Sequence, residues 1–290
     1  MNPLRSPLRV AVTTTLVAIA AVLAWTAWRY YMVSPWTRDG RVRVEVVSVA
    51  PEVSGTVQDV TVVDNQFVHK GDILFVIDSQ RFSLALEHAK ASVEVARNHM
   101  EVAEERAKRR RNLDSLSVSE EERQSAEGEA GSTASSHQLA LADARIAELD
   151  LERTVVRSPV NGYVTNLRLR RGGFATAGIA AVSVIDNDSF WIAGYFEETK
   201  LPHIRPGDRA IIRLMGVSHD ITGHVDSISR GIADRNGLTD AEGLANVDPT
   251  FTWVRLAQRI PVRIKLDPLT EDILLAAGQT CTVVIRRDRN

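Results

Sequence analysis

The chain has 290 residues, and 35 Lys and Arg against 37 Asp and Glu leave a formal charge of −2, which makes no electrostatic case for nucleic acid. Its 17 Gly and 44% hydrophobic content are those of neither a collagen-like nor a disordered chain, and its one cysteine, Cys281, excludes an intramolecular disulfide. The length is that of about two domains.

From Val10 to Trp28 there is no charged residue, with Arg5 and Arg9 before the stretch and Arg29 just after it. Nineteen helical residues extend roughly 28 Å, the thickness of a bilayer's hydrocarbon core. Trp25, Trp28, Tyr30 and Tyr31 cluster at the far end, as interfacial aromatics do. A helix apolar on all sides has no polar face for a soluble protein to expose. Two readings stand: a retained anchor, or a cleaved signal peptide with Ala18-Ile19-Ala20 as its small-residue site. The stretch is longer than a signal peptide's apolar region and ends in bulky aromatics, which favours the anchor. Arg38, Arg41 and Arg43 follow Arg29, so charge alone does not orient the segment.

Two further stretches, Ala50 to Asp78 and Ser158 to Asp186, read as halves of one small β-domain. Gly55 to Gly71 and Gly162 to Gly178 are both sixteen positions apart, and the Ile-Asp pair that closes each half is displaced by a single residue. Short β-branched runs alternate with polar residues, and Gly or Asn stands where a positive φ is expected, so Gly55, Gly71, Gly162 and Gly178 are read as turn glycines. A repeat this short cannot bury a face by itself, so the two copies are expected to close on each other as a flattened sandwich.

Between the halves, Ser79 to about Glu152 reads as two long helices. Arg81 to Leu113 contains neither Gly nor Pro and is dominated by Ala, Glu, Lys and Arg. Ala85, Ala89, Ser92, Ala96, His99, Ala103 and Ala107 predict the seam of a tight antiparallel coiled coil. Asp114 to Val118 break the pattern, and Ser119 with Glu122 spells a capping box that restarts it. The second arm is expected to face the first with Ala126, Ala130, Thr133, His137, Ala140, Ala144, Ala147 and Leu151. Each arm extends about 50 Å, and equal arms return the chain to its point of departure.

Beyond Asp186 the sequence predicts strands at Phe190–Phe196, Arg209–Leu214, Ile221–Ser229, Thr252–Leu256, Val262–Leu266 and Thr280–Arg286, separated by turn residues at Arg205-Pro206-Gly207-Asp208 and Ala276-Ala277-Gly278-Gln279. They suggest a small antiparallel barrel, followed by a membrane-proximal sheet that also recruits Arg41 to Val47. Ala233 to Asp248, rich in Gly, Asp and Asn, reads as a mobile loop. Cys281 reads as a small buried side chain within a strand. No phosphate-cradling or nucleophile-elbow motif occurs, and His219 and His224, the nearest histidine pair, fall at opposite ends of a short strand. No catalytic, cofactor-binding or metal-ligating residues are therefore expected.

The order of anchor, half-sandwich with Pro51-Glu52-Val53-Ser54-Gly55 and Val68-His69-Lys70-Gly71-Asp72, helical hairpin, second half with Arg157-Ser158-Pro159-Val160-Asn161-Gly162, and barrel resembles the hemolysin-D-type membrane fusion proteins, the periplasmic adaptors of tripartite efflux and secretion systems. Leu151 to Arg157, Glu197 to Leu201 and Trp253 to Ile264 are similar to the adaptor subunits of p-hydroxybenzoic acid efflux pumps within that family. The resemblance implies a non-enzymatic bridge whose hairpin tip meets a TolC-type outer-membrane duct. It implies a tip pattern of Arg, Leu four later and Ser seven after that. Arg109 and Leu113 fit, whereas the third position is Glu120, with Ser119 one short. Arg109, Leu113 and Ser119 are the candidate duct contacts. Without the resemblance, Arg109 to Arg111 read as a solvated helix face.

Lipoyl and biotinyl carriers share the two-half sandwich, but their modified lysine sits on the hairpin joining the halves, where this chain has the helical insert. Lys70 lies inside the first half. The fold class expected is thus mixed α and β and elongated: a transmembrane helix, a split lipoyl-like sandwich interrupted by a coiled-coil hairpin, then a β-barrel and a membrane-proximal β region. The expected boundaries are a cytoplasmic N-terminus at 1–9, the transmembrane helix at 10–28, the sandwich at 46–78 with 155–187, the hairpin at 79–154, and the barrel and membrane-proximal region at 188–290. The resemblance implies an inner-membrane, single-pass, largely periplasmic protein of a Gram-negative cell. Its implied partners are further copies of itself as trimer or hexamer, the duct, and an inner-membrane transporter of the aromatic-acid exporter type. A major-facilitator drug pump and a type I protein secretion system are the other settings, the latter usually with a much longer hairpin.

Overall fold

The computed structural model describes residues 5–28 (side chains from residue 10), 34–113, 118–232, 257–268 and 273–286. The Ala233–Asp248 loop, the Thr252–Leu256 strand, Tyr30, Tyr31 and the hairpin turn at 114–117 lie outside the described residues. In chain order the elements are α1 (Arg5–Trp28), β1 (Trp36–Arg43), β2 (Val46–Val49), β3 (Gly55–Val60), β4 (Phe67–Val68), β5 (Ile73–Ile77), α2 (Gln80–Arg111), α3 (Glu120–Glu152), β6 (Val155–Arg157), β7 (Gly162–Thr165), β8 (Phe174–Ala175), β9 (Val182–Asp186), β10 (Trp191–Glu197), β11 (Arg209–Leu214), β12 (Ile221–Ile228), β13 (Arg259–Leu266) and β14 (Thr280–Arg286). They form two units, residues 46–188 and residues 1–45 with 189–290.

In the first unit, the sandwich consists of two four-stranded sheets, ordered β2-β9-β7-β4 and β6-β5-β3-β8. Each sheet takes two strands from each half, and exchanging the halves converts one order into the other. The repeat read from sequence is therefore a structural pseudo-twofold, and its hydrogen bonds obey the same offset of 107 positions. Asn65 N–H donates to the Val164 carbonyl as Gly172 N–H does to Val57, at 2.8 and 2.9 Å. Gly71 N–H donates to Ser158 as Gly178 N–H does to Pro51, at 2.8 and 3.0 Å. Lys70 N–H is capped by Asn161 Oδ1 and Ala177 N–H by Ser54 Oγ, both at 2.9 Å. Val57, Val68, Leu74, Phe75, Ile77, Val164, Val182 and Val184 fill the space between the sheets.

The four glycines divide into two kinds. Gly71 and Gly178 sit at φ of 95° and 78°, as turn glycines should. Gly55 and Gly162, also expected at turns, instead open strands β3 and β7 without a positive φ; a Cβ on Gly55 would come 2.6 Å from Ile77 Cγ2, and one on Gly162 would overlap the Ile185 carbonyl. Left-handed turns fall on Asn65, at 63°, and on its counterpart Gly172, at 81°.

The hairpin springs from β5 and returns into β6. Alternating steps of three and four mark the least exposed side of α2 as Phe82, Leu86, Ala89, Val93, Ala96, Met100, Ala103 and Ala107. Ala85, Ser92 and His99, expected on that seam, lie one position off it and are exposed, because the larger apolar Leu86, Val93 and Met100 take the inner places. The α3 face falls where the spacing predicts, from Ala126 to Leu151. Arms of 32 and 33 residues reach about 48–50 Å. Gly128 and Gly131 are carried within α3 without a break.

In the second unit, β1-β10-β13-β12-β11-β14 close into an antiparallel barrel. Its interior holds Val42, Ile192, Phe196, Ile212, Val262, Ile264, Val283 and Ile285. The recruitment of Arg41–Val47 to a membrane-proximal sheet is corrected here: β1 closes the barrel between β10 and β14, while Val46 and Val47 belong to sandwich strand β2. Among the described residues no separate sheet remains. Gly40 permits the closure, since a Cβ there would meet Cys281 Sγ at 2.5 Å. Lys200, 6% exposed, secures the start of β1: its ammonium lies over the Trp36 ring at 5.1 Å and donates to the Trp36 carbonyl at 3.3 Å.

Helix α1 holds the apolar span Val10–Trp28, long and apolar enough to cross a membrane. Its threonines turn their hydroxyls back on the helix: Thr14 and Thr15 donate to Ala11, and Thr26 to Leu23, each at 2.9 Å. That leaves little polar surface for lipid to meet.

Gly162→Ala should cost roughly 3 kcal/mol or more, because the obstructing atom is backbone, and Gly178→Ala only about 1 kcal/mol for its left-handed conformation. Chemical denaturation of the two variants checks that order. Burial pushes the Cys281 thiol from 9.0 up to about 11. Since the folded state holds this proton more tightly, Cys281 favours folding fully below pH 9.0, and that contribution is lost as pH rises toward about 11. A thiol reagent at pH 8 should therefore leave the folded chain unlabelled and label it once unfolded.

Candidate functional site

The hairpin tip assembles charge by helix chemistry. The last turn of α2 carries Lys108, Arg109, Arg110 and Arg111, and the first turn of α3 carries Glu120, Glu121 and Glu122. Each set complements the partial charge of its helix end. Basic side chains then tie the two arms together. Arg106 binds both carboxylate oxygens of Glu129 at 3.2 and 3.0 Å, Arg111 reaches Glu127 at 2.9 Å, Arg110 donates to the Glu122 carbonyl at 3.2 Å, and Arg123 donates to the Leu113 carbonyl at 2.7 Å.

The solvated-face reading of Arg109–Arg111 holds for Arg109 and for Arg111, which stays 66% exposed while it reaches Glu127, and fails for the half-buried Arg110. Arg109 has only a 3.8 Å contact with Glu105 on its own helix, and its side chain is 69% exposed. Leu113, one residue past the Asn112 cap, is 49% exposed. Ser119 is the N-cap of α3: its Oγ accepts from Glu122 N–H at 3.2 Å, and Glu122 Oε2 accepts from Ser119 N–H at 3.1 Å. This is the capping box that the sequence spelled. All three candidates thus flank the hairpin turn. Arg109 and Leu113 present free surface, whereas Ser119 already has a structural task. Sequence reading missed the cross-arm bonds of Arg110 and Arg123, which end on backbone carbonyls and leave no side-chain pattern.

The other singled-out residues show no chemistry of their own. Lys70 is exposed on the turn between β4 and β5. His224, on β12, places Nδ1 3.0 Å from Asp267 Oδ1. The Asp267 carboxyl is held below its ordinary range chiefly by a hydrogen bond from the Thr222 side chain, with His224 and Arg209 adding to the effect. Among the described residues no cluster of His, Cys, Asp and Glu is arranged to hold a metal ion.

Ser119→Ala should cost about 1 kcal/mol, confined to the first turn of α3. Faster hydrogen exchange at the Glu122 amide, with the distal arm unchanged, is the expected observation.

Residues 45–187 match the family model described as "RND MFP, barrel-sandwich hybrid domain", and residues 189–286 match the AAEA-like beta-barrel domain. The membrane fusion protein Spr0693 from Streptococcus pneumoniae R6 shares the fold, with 16% identity over 88% of this chain and 99% of that one, at a TM-score of 0.64. A putative efflux transporter from Bacteroides eggerthii DSM 20697 shares it with 19% identity over 87% and 70%, at 0.62. MacA from Actinobacillus actinomycetemcomitans does so with 17% identity over 88% and 82%, at 0.61. At such identities the likeness is one of fold, and it agrees with the family matches. Between them, the two models take in all but one residue from 45 to 286, and the chain joins the barrel-sandwich hybrid domain of RND-type membrane fusion proteins to an AAEA-like β-barrel.

Proposed function

We propose that this chain is a membrane fusion protein, the periplasmic adaptor of a tripartite efflux pump. In this reading Val10–Trp28 is a retained inner-membrane anchor, the sandwich and barrel engage neighbouring copies and an inner-membrane transporter, and the hairpin tip meets a TolC-type outer-membrane duct. The observation that carries the reading is the hairpin itself. A segment that could have formed a compact domain of radius of gyration near 12 Å is instead drawn out to about 50 Å, with exposed Arg109 and Leu113 at its far end. Such a shape suits a bridge across an aqueous gap. It also takes the place of the tight turn on which a carrier would present its modified lysine.

The exported compounds are aromatic carboxylic acids or related small molecules, with an aromatic-acid exporter-type transporter as partner. This finer reading is supported by the resemblance of Leu151–Arg157, Glu197–Leu201 and Trp253–Ile264 to adaptors of p-hydroxybenzoic acid pumps. A trimer or hexamer would match a ring-shaped duct, since heterologous contacts between identical copies close into cyclic assemblies.

A photoreactive residue at position 113 of the full-length chain, in cells, should form adducts with an outer-membrane duct protein, and Arg109→Asp should abolish them. Labelling confined to cytoplasmic or inner-membrane proteins would sink the bridging role.

A further inference from the structure

Strands β1, β11 and β13 begin, and β10, β12 and β14 finish, at one end of the barrel. The chain coming from α1 enters there, where Ile285 N–H donates to the Pro35 carbonyl at 2.9 Å. Three carboxylates at this end already hold cations: Asp39 binds Arg259 at 2.8 Å, Glu197 binds Lys200 at 3.5 Å and Asp226 binds Arg263 at 3.6 Å. Arg38, Arg205, Arg209, Arg230 and Arg286 are exposed here, with no carboxylate at ion-pair distance among the described residues. Against them stand Glu198 and Asp208, and Asp208 already caps the Arg205 N–H at 2.8 Å.

Two of these arginines face each other. Arg209 and Arg286 are directly opposed across β11 and β14, and beyond Arg209 the same row continues to His224 and Lys265, so no carboxylate stands opposite either arginine. Like charges in direct cross-strand opposition weaken a sheet. Asp267 and Asp220 feel Arg209 and Arg286 at longer range, but they are engaged by His224 at 3.0 Å and Arg213 at 2.8 Å. A strand pair kept in this state is suited to an anion from outside the barrel. The position of this end says which anion. Residues 29–33 separate Trp28, the last residue of the apolar span, from Ser34. Six extended steps reach about 20 Å at most, of which the headgroup layer takes about 5–8 Å. With a screening length of about 8 Å at physiological ionic strength, a retained anchor holds this end within one to two screening lengths of the lipid surface.

We infer that this end of the barrel docks on the bilayer that α1 spans, its five unpaired arginines binding the phosphates of anionic lipids. The inference rests on the reading of Val10–Trp28 as a retained anchor. The anchor brings the barrel to the surface, and the arginines fix which way it faces there. Because the tether makes the second contact intramolecular, charges that would bind a free bilayer weakly suffice to hold the docked state.

The test places the full-length chain in nanodiscs of phosphatidylcholine, alone or in a two-to-one mixture with phosphatidylglycerol. A fluorophore sits on Pro206→Cys, in the exposed turn beside Arg205, and a quencher on the lipid headgroups; the buried Cys281 stays in place. Quenching should be several-fold stronger in the phosphatidylglycerol discs and should fall to the phosphatidylcholine level in about 1 M salt, where the screening length is about 3 Å. Arg209→Gln with Arg286→Gln should cut the difference between the discs several-fold while the thermal midpoint holds or rises, whereas arginines with a merely structural task would lower the midpoint on removal. Equal quenching in the two discs, or a difference that survives the double substitution, would overturn the lipid contact. So would quenching that appears only when an inner-membrane transporter shares the disc, which would assign the arginines to an acidic protein surface. A chain that enters neither disc would overturn the anchor, and the lipid contact with it, and is told apart by its absence from the disc fraction.

Discussion

Everything in the first unit depends on a reciprocal exchange of backbone hydrogen bonds between two segments separated by the whole hairpin. Neither half of the sandwich can satisfy its own strands: β3 needs β8, β4 needs β7 and β5 needs β6. Because an unpaired buried amide is costly, the two halves must meet, and their meeting fixes both ends of the hairpin at neighbouring strands. A long coiled coil with mostly alanine at its seam has little core of its own. Its register is set at the base by the sandwich and at the tip by arginines reaching across the arms.

The barrel meets a comparable demand differently. Its first strand arrives from the N-terminal side of the sandwich and its other five from the C-terminal side. Closure then requires a strand that tolerates two close neighbours. Gly40 supplies the space, being paired with Gly194 on one side and Cys281 on the other. Trp36, beneath the Lys200 ammonium, supplies the hold. The Glu197–Leu201 segment, noticed in the sequence for its resemblance to efflux adaptors, thus has a local physical role in seating β1.

Much of this was legible in the sequence, for identifiable reasons. The sandwich showed through because its two halves repeat glycines at equal spacing, and the same backbone demand recurs at Gly71 and Gly178. What spacing could not show was that Gly55 and Gly162 answer a steric demand from across the sheet, since a glycine needed for space and one needed for φ are written alike. The α3 seam was readable because its small residues lie on one face. In α2, alanines occur on several faces, so Ala85, Ser92 and His99 could be mistaken for the interior until the larger Leu86, Val93 and Met100 were seen to claim it. The role of β1 was hidden because Arg41 and Arg43 point outward from a strand whose partners lie some 150 and 240 residues away. At the tip, Ser119 and Glu122 carried a recognisable cap, whereas Arg110 and Arg123 act on carbonyls that any residue could offer.

The pairing of β1 with β14 also bears on how the molecule comes into being. β1 waits for β14, some 240 residues later, so the barrel cannot close until Arg286 has emerged. Until then β1 and β11 present bare edges, the kind of template on which foreign strands can add. A ribosome stalled a few residues short of Arg286 would leave a chain with an open barrel. Quality control therefore has a natural checkpoint at β14, and loss of that strand would act as a lesion of assembly more than of local stability.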